Sequence, residues 1–235
     1  MSFLNDVYVW FNDPLNWQGP NGVLARVGEH VALSLGALLI ACLVAVPSAA
    51  LLGRSQWSGT IALNLANIGR AIPSFAVLVL GVIWLGFGSG PTYIALTLLA
   101  IPPIFTLTFT AIRQVDPAMV DAAKGMGMTG GAVLWRVQLP VARPLILNGI
   151  RLASAAVIAT ATLASLIGGG GLGRFIKDGF AVRNFAEVAA GTLLVMALVL
   201  LSEAFFALLF HFTVSPGLRT GRRRRRRPVA MSVGA

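Results

Sequence analysis

Residues 71–112 read AIPSFAVLVLGVIWLGFGSGPTYIALTLLAIPPIFTLTFTAI, a stretch from Ala71 to Ile112 without one charged side chain. The hydrocarbon core of a bilayer takes about 20 apolar residues of helix, so this length serves two crossings. Gly86, Gly88, Gly90 and Pro91 cluster in its middle and mark the turn between them. Working outward, His30 to Gly53 is a charge-free interval bounded by Glu29 and Arg54. Leu152 to Gly173 is another, and Val188 to Val214 is interrupted only by Glu203. The expectation is an all-α polytopic membrane protein with five transmembrane helices. The second of them is expected to begin near Ile61 and to include Arg70.

Composition agrees. Hydrophobic residues make up 57% of the 235-residue chain and charged residues 11%, with a mean hydropathy of +0.82. Soluble domains carry about a quarter charged residues, too many for this chain to pass as one. The net charge of +10 is concentrated at one end, in Arg219 and the run Arg222, Arg223, Arg224, Arg225, Arg226 and Arg227. The high isoelectric point therefore describes a tail, and nucleic-acid binding has neither a fold nor aromatic interleaving behind it. The single cysteine, Cys42, lies in an apolar run and reads as a small packing residue. With only His30 and His211 beside it, no metal site is expected. The first residues carry Asp6 and Asp13 among Tyr8, Trp10 and Trp17, which suits an interfacial segment and not a cleavable signal.

The basic residues set an orientation. Arg113, Lys124, Arg136, Arg143 and Arg151 outnumber Asp116 and Asp121 between the third and fourth spans, and the arginine tail follows the fifth. Both segments belong on the cytoplasmic side by the positive-inside bias, and two spans separate them, so the assignments agree. The N-terminus then lies outside. The division expected is an extracytoplasmic or interfacial segment 1–29, a permease domain 30–214 with a cytoplasmic loop 113–151, and a basic cytoplasmic tail 215–235.

That loop is itself patterned. Asp116-Pro117 reads as an N-cap followed by proline at the first helical position, and Gly125 and Gly127 end the helix. Thr129 starts a second helix that Leu139-Pro140 is expected to close. Ala122 and Ala123 are small enough for another surface to approach the backbone.

Asp121-Ala122-Ala123-Lys124-Gly125 followed by Leu139-Pro140 resembles the EAA loop of permease subunits of bacterial ABC importers, with Asp121 in place of the usual glutamate and the family glycine on Gly127. Ala71-Ile72-Pro73-Ser74-Phe75-Ala76, Val115-Asp116-Pro117, Gly125-Met126-Gly127-Met128-Thr129 and Ile167-Gly168-Gly169-Gly170-Gly171-Leu172-Gly173 are similar to the glycine betaine/carnitine/choline osmoprotectant branch, over about residues 25–215. Methionine-importer permeases share the span number, the proline and the glycine cluster. The resemblance implies a type I importer fold and a coupling loop built of Asp121, Ala122, Ala123, Gly125, Gly127, Leu139 and Pro140. It also implies cytoplasmic ATPase subunits that hold ATP and magnesium, a second permease subunit, identical or related, and an extracytoplasmic binding protein. A non-transport membrane anchor or a channel is the reading from another class.

No Gly-x-x-x-x-Gly-Lys-Ser/Thr stretch exists in the chain, so no cofactor is assigned to it and ATP hydrolysis falls to a separate subunit. Gly168, Gly170 and Gly173 match a dinucleotide fingerprint only in spelling, since no βαβ pattern surrounds them. Gly168, Gly169, Gly170, Gly171 and Gly173 read instead as a turn at the outer mouth of the route or a site of close helix packing. Arg70, Pro73 and Ser74 are either a kink with a snorkelling arginine or a broken helix lining the translocation path. Glu203 is either a structural polar contact, with Ser202 and His211 near in sequence, or part of that path. The arginine run is expected to hold anionic lipid, as an anchor or as a sensor of ionic strength.

Overall fold

The computed structural model describes residues 2–54, 61, 63–64 and 73–213, with the backbone alone for Ser74. Arg70 and the arginine run 222–227 lie outside the described residues. The described segments are helical, in chain order α1 (Phe3–Asn12), α2 (Val23–Leu52), α3 (Ser74–Leu85), α4 (Ser89–Arg113), α5 (Pro117–Gly125), α6 (Gly130–Val133), α7 (Leu139–Thr160), α8 (Gly173–Ala181) and α9 (Phe185–Thr213). A π turn (Leu134–Gln138) joins α6 to α7, and a 3₁₀ segment (Ala161–Ile167) extends α7.

Four of these stretches are long and apolar enough to cross a membrane: Val23–Leu52, Ser89–Arg113, Gly130–Ile167 and Phe185–Thr213. The shorter apolar helix α3 occupies the place of span two. The helix that carries the first crossing begins at Val23, ahead of the charge-free interval from His30. Arg26 and Glu29 lie within the helix because their side chains pair at 2.7 Å, which removes the objection to carrying two charges there.

The bundle core is built on a stripe of small residues. Ala37, Ala41, Ala45 and Ala49 recur at four-residue spacing on α2 and are fully buried. They meet Leu96, Ala100, Ile104 and Phe109 of α4, with Ala153 and Val157 of α7 completing the cluster. Inside lipid, burial of apolar surface does not drive helices together, and short side chains that let backbones approach do so through packing. Gly149 of α7 extends this logic, since a Cβ there would sit 3.3 Å from the Pro103 carbonyl oxygen. Cys42 packs partly buried against the same cluster.

A second cluster gathers Trp10 of α1, Val23, Leu172, Phe175 of α8 and Ala190 and Val195 of α9. Trp10 and Phe175 meet edge to face with centroids 5.4 Å apart, and the Trp17 indole N–H donates to the Phe11 carbonyl at 2.8 Å. The aromatic N-terminal segment is thus folded onto the last two helices. Most of α9 is turned outward. Leu200, Leu201, Phe205, Leu208 and Phe212 are each exposed by more than half, an apolar face that suits lipid and not water.

One local expectation is corrected. The helix does not close at Leu139-Pro140; α7 runs on through Pro140 and Pro144 to Thr160, so Arg151 stands within a helix and not in a loop. The π turn just before it explains how. Pro140 falls in the first turn after this widened segment, where its missing N–H costs little. At Pro73 the backbone is extended, with ψ 122°, and the described part of the helix begins only at Ser74. The residues just before Pro73, where a kink or a break would show, lie outside the described residues.

Candidate functional site: the coupling elbow and the outer glycine loop

The turn between α5 and α6 is set by local chemistry. Asp116 caps α5, its carboxylate accepting the Ala118 N–H at 2.9 Å, and Pro117 takes the first helical position. At the far end, Met128 N–H donates to the Ala123 carbonyl at 3.2 Å and Gly127 N–H to the Lys124 carbonyl at 2.8 Å. This pair of reversed bonds is a Schellman motif, with Gly127 as its left-handed residue at φ +84°. Nothing lies within 4 Å of the position a Gly127 Cβ would take, so backbone conformation and not crowding requires glycine there. Thr129 then caps α6 through a bond from the Ala132 N–H at 3.3 Å.

The elbow presents Asp121, Ala122, Lys124, Gly125 and Gly127 to the surface. Asp121 and Lys124 pair at 3.7 Å, and both stay well solvated. Ala123 is not available to a partner as its small size suggested. It is 2% exposed and faces the protein's own interior, because it is the helix position turned toward the span ends. Leu139 is partly buried against Ala142, Ile146 and Ala50, and so supports the elbow without forming its tip. The residues that sequence reasoning passed over are Met126 and Trp135, exposed by 77% and 73%. In the sequence Met126 reads only as a letter of the Gly125–Thr129 motif, and Trp135, in the π turn, only as an apolar helix residue; neither spacing marks exposure. Behind the elbow lies a cavity of about 600 Å³ between the ends of α2 and α4, with Arg54, Arg113 and Lys124 at its wall. The Arg54 guanidinium lies so close over Gly130 that a Cβ there would meet Nη2 at 2.5 Å.

At the opposite end, the glycine cluster connects the 3₁₀ segment to α8. Gly168 and Gly171 adopt positive φ, 82° and 89°. Gly169 and Gly173 are close-approach positions: a Cβ at Gly173 would stand 2.0 Å from the Thr162 carbonyl oxygen, and at Gly169 2.7 Å from that of Ala164. Gly170 lies against the Glu29 carboxylate. Turn and close packing, the two readings of the cluster, are both present, and they coincide at Gly171, where a Cβ would also stand 3.0 Å from His30 Nδ1.

Of the residues considered for a path, Glu203 accepts a bond from Arg151 Nε at 2.6 Å and pairs with its guanidinium. One turn along α7, Ser154 and Ser202 hydroxyls meet at 3.2 Å. The pair is a polar bridge between α7 and α9. Pairing lowers the cost that either charge would carry alone in a membrane helix. Arg151 was counted from sequence among loop cations, so its role as the partner of Glu203 was missed. Pro73 is exposed at the start of α3, away from this bridge in sequence, and nothing joins the two among the described residues.

A membrane-embedded helical bundle with a capped elbow at one end and a glycine loop at the other has the form of a transporter subunit. Residues 37–220 match the family of binding-protein-dependent transport system inner membrane components, and the chain belongs to that family. The carnitine transport permease protein OpuCB of Listeria monocytogenes is 36% identical over 78% of this chain and 84% of its own length. The glycine betaine/carnitine/choline transport system permease protein OpuCB of Bacillus subtilis is 33% identical over 88% of this chain and 97% of its own. Among solved structures, an inward-facing MetNI methionine ABC transporter has the same fold, with a TM-score of 0.74 at 20% identity over 82% of this chain and 96% of that one.

Proposed function

We propose that this chain is the permease subunit of an ATP-driven importer of osmoprotectants, small quaternary ammonium solutes of the glycine betaine, choline and carnitine class. The observation that carries the substrate class is the near full-length match to a glycine betaine/carnitine/choline permease, 97% of that protein being covered. The chain forms half of the translocation path and works with a second permease subunit, two cytoplasmic ATPase subunits and an extracytoplasmic binding protein. The elbow from Asp116 to Thr129 docks on the ATPase, and closure of the ATP-bound dimer is transmitted through it to the spans. The basic wall at Arg54, Arg113 and Lys124 and the arginine tail face the cytoplasm, where the tail rests on anionic lipid. Selection of the solute falls chiefly to the binding protein, since an aromatic cage suits a quaternary ammonium and the exposed aromatics of this chain are scattered.

The expected result is tested with the reconstituted complex in liposomes. Labelled glycine betaine enters with ATP, unlabelled choline or carnitine competes, and unlabelled methionine does not. Uptake of methionine in preference to glycine betaine would transfer the chain to the amino-acid importers. Uptake of neither, together with failure to bind any ATPase subunit, would overturn the importer reading.

A further inference from the structure

The Gly168 and Gly169 amides donate locally to the Ala164 carbonyl, whereas those of Gly171 and Leu172 are satisfied from outside the loop. Gly171 N–H donates to Glu29 Oε2 at 2.7 Å, and the same oxygen accepts from Arg26 at 2.7 Å. Leu172 N–H donates to His30 Nδ1 at 3.3 Å. His30 is fully buried, and its Nε2 lies 2.9 Å from the Ile158 carbonyl oxygen of α7. Because Nδ1 accepts, the proton sits on Nε2 and is donated to Ile158. Two neighbouring side chains of α2 therefore hold the loop from across 142 residues of sequence. A Cβ at Gly170 would stand 2.2 Å from the Glu29 carboxylate, so glycine is what lets the carboxylate close on the backbone.

The loop connects two of the core clusters, which α2 also joins along its length. One is the alanine-striped core of α2, α4 and α7; the other is the cluster of Trp10, Leu172, Phe175, Ala190 and Val195. Positive φ at Gly168 and Gly171 places the conformational freedom of the connection there. A hinge needs a few residues able to absorb dihedral change, and a two-state hinge needs contacts made in only one of its states. The geometry points to Glu29 and His30 as positioning residues for transport: they lock the 168–172 hinge while the outer end of the bundle is shut, and the lock releases when that end opens. The inference rests on the importer reading, which supplies the need for two states.

The test uses the complete transporter in liposomes, with hydrolysis measured with and without glycine betaine. Glu29→Ala and His30→Ala should raise hydrolysis in the absence of solute by about tenfold and lower the glycine betaine carried per ATP, because the shut state loses contacts that the open state lacks. Glu29→Gln, which keeps an acceptor for Gly171, and His30→Asn, which keeps one for Leu172, should restore at least half of the coupling. In the unaltered protein, the Gly171 and Leu172 amides should resist hydrogen exchange without nucleotide and exchange faster in the vanadate-trapped complex. Equal protection in both states, or uptake and hydrolysis falling in the same proportion in the alanine variants, would make the contact a fixed staple and overturn the lock. Failure of the unaltered chain to bind an ATPase subunit would refute the importer reading instead.

Discussion

Replacing Gly127 with valine is expected to abolish ATP-driven uptake, whereas replacing it with asparagine should leave most of it. The residue sits at φ +84° with open space around its missing side chain. Left-handed backbone costs an L-residue about 1–2 kcal/mol, more when the side chain is β-branched, and asparagine tolerates it best. The energetic change is modest for a whole protein. It is large for a turn held by two hydrogen bonds, Met128 to Ala123 and Gly127 to Lys124. Loss of either bond moves Met126 and the solvated face of α5, the surfaces proposed to meet the ATPase. Uptake should fall more than tenfold in Gly127→Val while the permease remains in the membrane, and co-purified ATPase should fall with it. Equal loss in both variants would mean that space and not conformation governs the position.

The second large effect is expected at Gly173. A Cβ there would meet the oxygen, carbonyl carbon and Cα of Thr162 at 2.0, 2.7 and 2.8 Å, all backbone and unable to rotate away. Gly173→Ala must therefore part α8 from the 3₁₀ segment and disturb the cluster of Leu172, Phe175 and Trp10. Overpacking typically costs 1–3 kcal/mol and more where backbone must move, so a loss of about 3 kcal/mol is expected. Gly168→Ala has its nearest neighbour at 3.6 Å and carries only the penalty of its positive φ, about 1–2 kcal/mol. Thermal unfolding of the two purified variants should rank Gly173→Ala well below Gly168→Ala. The reverse order would contradict this packing.

The bundle was legible in the sequence because charge-free length is a strong signal in a chain that must satisfy lipid. The elbow was legible because capping is local: Asp116, Pro117, Gly127 and Thr129 act on residues two to five positions away. Three features were not legible, for one shared reason. The Arg151–Glu203 bridge, the Glu29–Gly171 bond and the burial of Ala123 depend on which helices become neighbours, and no spacing along the chain records that. Leu139-Pro140 misled in the other direction. Proline ordinarily ends a helix, but a π turn ahead of it let α7 continue.

The central claim is that the elbow faces the cytoplasm and bears on the ATPase. Its most direct measurement is labelling of an Ala122→Cys variant, made in a Cys42→Ala background so that no other thiol is present. A membrane-impermeant maleimide should leave position 122 unlabelled in intact cells. It should label that position in inverted vesicles stripped of ATPase, and label it several-fold less once the ATPase is restored. Labelling from outside intact cells, or labelling in vesicles that the ATPase leaves unchanged, would contradict the account.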